Sequence, residues 1–142
     1  MKASTDTMHT APASHAARPA IAIDIDLPFQ HVLAAWLAAR CYRVTFLPLA
    51  ALPSTQGDID LVVCELSEPK VSGAQTLRRL AQAHPQAILL AISARFVAAP
   101  RCETLARSLG ADAALAKPFS RLDLYAALDA LPARGPRCHG PA

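Results

Sequence analysis

Short apolar runs alternate with segments of helical periodicity from about residue 20 to about residue 131. The apolar runs have the length of strands, and the segments between them place apolar residues three or four positions apart. Strands and helices that alternate in this way form a mainly parallel sheet covered by helices. The sequence therefore predicts one α/β domain built from five βα units.

The predicted strands are short and aliphatic, and the third reads DLVVCEL. They span residues 20–25, 42–46, 60–66, 87–92 and 113–116. The predicted helices span residues 28–40, 49–52, 73–83 and 100–109, and a fifth begins after Ser120. We expect Gly110 to end the fourth helix in a left-handed conformation and Ser120 to cap the fifth.

Both ends of the chain lack periodicity and are rich in small residues and proline. We predict that residues 1–19 and 132–142 are disordered tails around a domain at 20–131. The formal net charge is +3, but the predicted domain has ten basic and ten acidic residues, so the excess lies in the tails. Nucleic-acid-binding domains normally carry a concentrated basic stripe, and we therefore expect no nucleic-acid partner.

The four cysteines are dispersed, without a C-x-x-C pair or zinc-ligand spacing. The amino-terminal segment has no apolar leader, and no apolar run approaches the roughly 20 residues of a membrane span. We therefore expect a cytoplasmic protein with reduced thiols and no membrane partner, in which Cys64 is a buried apolar residue.

Polar side chains capable of chemistry stand at the ends of four of the five predicted strands. The first strand ends in Asp24 and Asp26, the third in Glu65, the fourth in Ser93, and the fifth in Lys117 followed by Pro118. Because the carboxyl ends of parallel strands meet at one edge of a sheet, we expect these groups to converge.

Three strings in this order resemble the response-regulator receiver domain: DLVVCELSEPKVSG, AISA and GADAALAKPF. The resemblance covers about residues 20–131 and implies a flavodoxin-like, doubly wound five-stranded parallel sheet with strand order 2-1-3-4-5 and helices on both faces. It places Glu65 at the phosphoacceptor position, Ser93 at the switch hydroxyl and Lys117 at the phosphate-contacting lysine. It also implies a cis bond between Lys117 and Pro118.

Two departures from the family affect its chemistry. Glu65 stands where the family has aspartate, and the extra methylene moves the carboxylate by about 1.5 Å. Since a misplacement of about 1 Å can cost a hundredfold in rate, we expect poor phosphorylation, and the single charge of Glu65 imitates a phosphoryl group only in part. Ala114 replaces the usual aromatic switch residue, so that coupling is lost.

The resemblance also implies a divalent cation held by Asp24, Asp26 and Glu65, and such oxygen ligands suit Mg²⁺. We expect no cofactor to be required, with Mg²⁺ as an optional ligand. An isoleucine separates the two aspartates; alignment from Cys41 and the tyrosine after it favours Asp24 as the family's acid, whereas alignment from Pro28 favours Asp26.

Simpler interpretations of the same residues stay open. Glu65 and Lys117 can form an ion pair left from an ancestral site, and Asp26 can act only as a helix cap. Arg95, Arg101 and Arg107 can be a solvated charged face or can dock an acidic partner.

The sequence thus predicts a stand-alone, non-enzymatic receiver that acts as a protein-interaction module in two-component signalling. Its expected partners are a histidine kinase or an effector, or a second copy that contacts the face of the fourth helix, fifth strand and fifth helix. The alternatives are a phosphorylation-competent, Mg²⁺-dependent receiver and a flavodoxin-like small-ligand domain. The segment IDIDLPF has no glycine, which counts against a phosphate-binding loop.

Overall fold

The computed structural model describes residues 17–54, 57–97 and 101–131. Five parallel strands form one sheet in the order β2-β1-β3-β4-β5, which confirms the predicted fold class and strand order. The strands are β1 Arg18–Ile23, β2 Tyr42–Leu47, β3 Leu61–Glu65, β4 Ile88–Ser93 and β5 Ala113–Ala116. Residues 1–16 and 132–142, which hold most of the predicted tails, lie outside the described residues.

Helices follow each strand and lie on both faces of the sheet. They are α1 Leu27–Ala38, the 3-10 helix α2 Leu49–Ser54, α3 Ala74–Ala83, α4 Arg101–Leu109 and α5 Arg121–Asp129. A π-helical turn, Pro69–Gly73, leads directly into α3. No helix in the described part of the chain is long and apolar enough to cross a membrane.

The first strand differs from its prediction at both ends. It begins at Arg18, which pairs with Tyr42, two residues before the predicted start of the strand. It ends at Ile23 because Asp24 adopts a left-handed conformation, with φ at 59°, that breaks the extended backbone. Asp24 and Asp26 therefore lie in the β1–α1 loop and not in the strand.

Several local predictions about helix ends are confirmed. Gly110 follows α4 with φ at 111°, a value that glycine adopts without steric cost. The Ser120 hydroxyl accepts from the Asp123 amide at 3.0 Å, and the Asp123 carboxylate accepts from the Ser120 amide at 2.9 Å. This capping box fixes the start of α5. In contrast, the second helix is longer than predicted and includes Pro53.

The core has one layer on each side of the sheet. Helices α1 and α5 cover one face, where Leu33, Leu37 and Leu124 pack on apolar side chains from all five strands. Helices α2, α3 and α4 cover the other face, with Leu77 and Leu80 among the fully buried side chains. Each central strand is buried on both faces, as its continuous apolar sequence predicts.

A polar brace joins the carboxyl-terminal halves of α1 and α5. The Tyr125 hydroxyl donates to the Trp36 carbonyl at 2.6 Å. Arg40 forms an ion pair with Asp129, and its guanidinium lies 4.7 Å from the centre of the Tyr125 ring. These contacts hold together the two helices whose first turns border the polar edge of the sheet.

Candidate functional site

Three charged side chains meet at the carboxyl edge of the sheet. The Lys117 ammonium donates to Glu65 Oε2 at 2.9 Å and to Asp26 Oδ2 at 3.1 Å. Glu65 is the last residue of β3, Lys117 follows β5, and Asp26 precedes α1, so three separate βα units supply the cluster. The predicted convergence of carboxylates and an ammonium is therefore present for these three residues.

The cluster lies partly below the surface. The Glu65 and Lys117 side chains are 17% and 21% exposed, whereas the Asp26 side chain is 54% exposed. Glu65 Oε1 is buried and has no hydrogen-bond partner among the described residues. A buried carboxylate oxygen without a donor is costly, so the negative charge of Glu65 depends largely on Lys117.

A cluster of aromatic rings lies beside the Lys117 ammonium. The Lys117 ammonium lies 5.7 Å from the centre of the Phe29 ring, within cation–π range. Phe29 packs edge to face against Phe119 at 5.5 Å and Trp36 at 5.9 Å. The aromatic cluster was not predicted from the sequence as part of the site. The available signal was the position of Phe29 and Phe119 within three residues of Asp26 and Lys117.

The hydrogen bonds of Lys117 also decide its ionisation. Burial by itself disfavours the ammonium, but the bonds to Glu65 and Asp26 outweigh burial and raise the Lys117 pKa above its ordinary value. At neutral pH the lysine is therefore a fixed positive charge between two carboxylates. Its backbone amide donates to the Ser93 carbonyl at 3.0 Å, and the bond to Pro118 is cis, as the family resemblance implies.

Asp24 and Asp26 have different surroundings. The Asp24 carboxylate accepts from the Leu49 amide at 3.1 Å, and its own amide donates to the Leu47 carbonyl at 3.0 Å. Asp24 therefore fixes the β2–α2 connection, while Asp26 joins Lys117. Asp26 is the N-cap residue of α1 but makes no side-chain capping bond, so the interpretation of Asp26 as only a helix cap is wrong.

The two remaining predicted site residues are buried. The Ser93 hydroxyl accepts from the Arg95 amide at 3.0 Å, which ties it to its own loop. Ala114 is buried in β5 beside Ala91, within the core layer under α3 and α4. The methyl group of Ala114 fills this position in the core. An alanine has no aromatic ring that could rotate between two positions.

Solved structures with the same architecture supply the comparison. Comparison of the sequence with protein-family models and with curated proteins gives no match. A response regulator from Burkholderia pseudomallei, described with a phosphorylated aspartic acid, calcium and citrate, is 26% identical, with a TM-score of 0.62 over 78% of this chain and 66% of that one. The chain thus spans slightly less than two thirds of that protein.

This chain covers almost the full length of two further solved structures. The chemotaxis protein CheY4 of Vibrio cholerae is 19% identical, with a TM-score of 0.63 over 82% of this chain and 100% of that one. The receiver domain of a sensor histidine kinase from Pseudomonas aeruginosa, with magnesium in its active-site cleft, is 22% identical, with a TM-score of 0.62 over 81% and 97%. This chain has the response-regulator receiver fold.

The receiver fold implies a divalent cation at the acidic edge of the sheet. The residues predicted to bind it are Asp24, Asp26 and Glu65. Among the described residues, no group of three His, Cys, Asp or Glu side chains is placed to hold a metal ion. Asp24 is bonded to the Leu49 amide, and the Lys117 ammonium lies between Asp26 and Glu65. In this arrangement the three acids do not fit Mg²⁺, and cation binding by them stays a prediction.

Proposed function

We propose that this chain is an atypical receiver of two-component signalling that acts in the cytoplasm by binding other proteins, without phosphorylation of Glu65. The receiver fold supports the signalling class. The ion pair between Glu65 and Lys117, at 2.9 Å, carries the second part of the proposal. It engages both the residue at the acceptor position and the lysine that the family uses to contact phosphate.

Geometry at Glu65 disfavours attack on a phosphodonor. The carboxylate is mostly covered, one oxygen is bound by Lys117, and the other is buried. The side chain is also longer by about 1.5 Å than the aspartate of the family. A nucleophile whose reactive atom is displaced by this distance loses on the order of a hundredfold or more in rate.

Fixed charges at this edge support a constitutive binding surface. Asp26, Glu65 and Lys117 are held in one arrangement by two salt bridges, and Ala114 provides no aromatic rotation to change it. We therefore infer that the chain presents one conformation to a histidine kinase, an effector or a second copy. The surface of α4, β5 and α5 is the place where we expect such a contact, and Leu122 of α5 is exposed there.

Intact-mass measurement after incubation with Mg²⁺ and acetyl phosphate tests this proposal. We expect the wild-type chain to gain no phosphoryl group at Glu65. A Glu65→Asp variant shows whether the extra methylene alone blocks transfer, and a Glu65→Gln variant reports modification at any other residue. If the Asp variant alone is modified, the rest of the pocket supports transfer and the natural glutamate prevents it.

The rival function is a phosphorylation-competent receiver. A phosphoryl group on the wild-type chain that maps to Glu65 would establish this alternative and contradict our proposal. If neither the wild type nor the Asp variant is modified, the pocket is inactive towards this donor, which is consistent with a binding role.

A further inference from the structure

The basic residues of the domain are concentrated on one side. Residues 67–84 and 94–110, which form α3, α4 and the segments leading into them, contain six of the ten basic residues of 20–131 and two of its ten acidic residues. The six are Lys70, Arg78, Arg79, Arg95, Arg101 and Arg107. A domain with no net charge therefore has a strongly positive face between α3 and α4.

Two adjoining cavities form a groove on this face. One, of about 520 Å³, is lined by the cationic residues Lys70, Arg95 and Arg101. The other, of about 280 Å³, is lined by Arg78 and Arg107. Ser108 lines both cavities, so they are neighbours along α4. We call the surface lined by Lys70, Arg78, Arg95, Arg101, Arg107 and Ser108 the α3–α4 groove.

Among the described side chains, Glu68 is the acidic group that forms an ion pair with a cation of the groove. Glu68 lies 3.4 Å from Arg95, but both side chains are more than half exposed, so this pair is screened by water and contributes little. Arg101 is the first residue of α4, where the helix dipole adds positive potential. The groove is thus suited to an anionic ligand.

Apolar surface lies beside these cations. Val97 and Leu105 line the larger cavity, and Val97 is 52% exposed. Val71, next to Lys70, is 81% exposed. An isolated phosphate group would contact the cations and leave this apolar surface in water. A peptide that alternates acidic and apolar side chains would satisfy both features.

We propose that the α3–α4 groove binds an acidic, partly apolar segment of a partner protein. The inference rests on the proposed function, that the chain acts by binding, and it adds a second surface, distinct from that of α4, β5 and α5, together with the chemistry of the partner segment. Carboxylates of the segment pair with Lys70, Arg95 and Arg101, while its apolar side chains cover Val97 and Leu105. Arg107, grouped with Arg95 and Arg101 in the sequence analysis, lines the second cavity. It adds a cationic side chain to that part of the groove.

Fluorescence anisotropy with the full chain and a fluorescein-labelled peptide of repeated Glu-Leu-Asp units tests this inference. We expect saturable binding that weakens as ionic strength rises, because the contacts are between exposed charges. A Lys70→Glu/Arg101→Glu variant should bind at least about tenfold more weakly. The matched control, Arg43→Glu/Arg121→Glu, has the same net charge but alters exposed arginines outside the groove, and it should bind within about twofold of wild type.

Two comparison probes make the result specific. A poly-glutamate peptide without leucine should bind more weakly than the Glu-Leu-Asp peptide, and a single-stranded DNA oligonucleotide should not compete with it. Equal binding of all three probes, or equal loss of affinity in the two charge-reversed variants, would show a nonspecific polyanion effect and overturn the inference. No binding of the peptide overturns it as well, whereas the phosphorylation test of Glu65 is unaffected by either outcome.

Discussion

Lys117 should contribute to stability mainly because its loss would leave Glu65 buried without a cation. We consider the variant Lys117→Met, which keeps most of the side-chain stem beside Phe29 and removes the charge. Glu65 Oε2 would lose its donor, and Oε1 already has none among the described residues. Since both the Glu65 and the Lys117 side chains are about four-fifths covered, water can replace the ammonium only in part.

The expected loss of stability follows from the separation of 2.9 Å between Lys117 Nζ and Glu65 Oε2. Coulomb's law gives an attraction of about 6 kcal/mol at an effective dielectric of about 20 and about 1.4 kcal/mol in water. Desolvation of both ions offsets much of the larger figure. We therefore expect Lys117→Met to lower the free energy of unfolding by about 2 kcal/mol, which is the usual cost of stranding one partly buried polar group.

A double-mutant cycle isolates the pair from the rest of the side chain. Glu65→Gln removes the stranded charge, so the double variant Glu65→Gln/Lys117→Met should be more stable than Lys117→Met alone, with a coupling energy of about 1–2 kcal/mol. Urea denaturation followed by circular dichroism at about pH 7 gives these energies. The raised Lys117 pKa makes this contribution fully present below the unfolded lysine pKa of about 10.4, and it declines as the pH rises through the folded value.

Arg43→Met is the matched control, since Arg43 is an exposed residue of β2, and it should change stability by less than about 0.5 kcal/mol. If Lys117→Met is equally mild, or if the coupling energy is near zero, the pair is screened by solvent. In that case Glu65 does not depend on Lys117 for compensation of its buried charge.

Two buried titratable groups give further predictions. Burial, with smaller effects from Asp24 and Glu65, raises the pKa of the Cys64 thiol to about 12, so iodoacetamide at about pH 8 should label exposed Cys41 and spare Cys64 in the folded chain; peptide mass mapping that finds similar rates at both would contradict this. Burial lowers the pKa of His84, so its contribution to stability is present above the unfolded pKa of about 6.5 and is lost as the pH falls through the folded value. Urea midpoints between about pH 7 and pH 5 should therefore fall less steeply for His84→Gln than for wild type, and identical slopes would refute the assignment.

The fold could be predicted because its signals are local and agree with one another. Continuous apolar runs indicated strands buried on both faces, and Gly110 and Ser120 marked helix ends by their own backbone chemistry. The end of β1 could not be predicted in the same way. The left-handed conformation of Asp24 is supported by hydrogen bonds to Leu47 and Leu49, which are distant in sequence.

The candidate site was predicted as a set of residues, and of its contacts only the ion pair between Glu65 and Lys117 was among the interpretations left open. Alternation of strands and helices brings Asp26, Glu65 and Lys117 to one edge, and this follows from topology. Which carboxylate binds the ammonium depends on the position of each side chain within about 1 Å, and that is decided by packing around it. The rings of Phe29 and Phe119 belong to this packing, and their closeness in sequence to Asp26 and Lys117 does not by itself specify the contacts.

Ile25 gives a physical reason for the division between Asp24 and Asp26. It is 6% exposed and packs in the core layer under α1 and α5, so the residue between the two acids points into the protein. With Ile25 anchored there, the two carboxylates leave the loop toward different neighbours: Asp24 toward the α2 amide and Asp26 toward Lys117.

Adjacent acids would occupy successive positions of one loop, whereas these acids are separated by a residue that the core requires. Ile25 separates the two acids while it contributes to the apolar core, and the longer side chain of Glu65 lies 2.9 Å from the Lys117 ammonium. Both features support the proposal that this edge carries fixed charges.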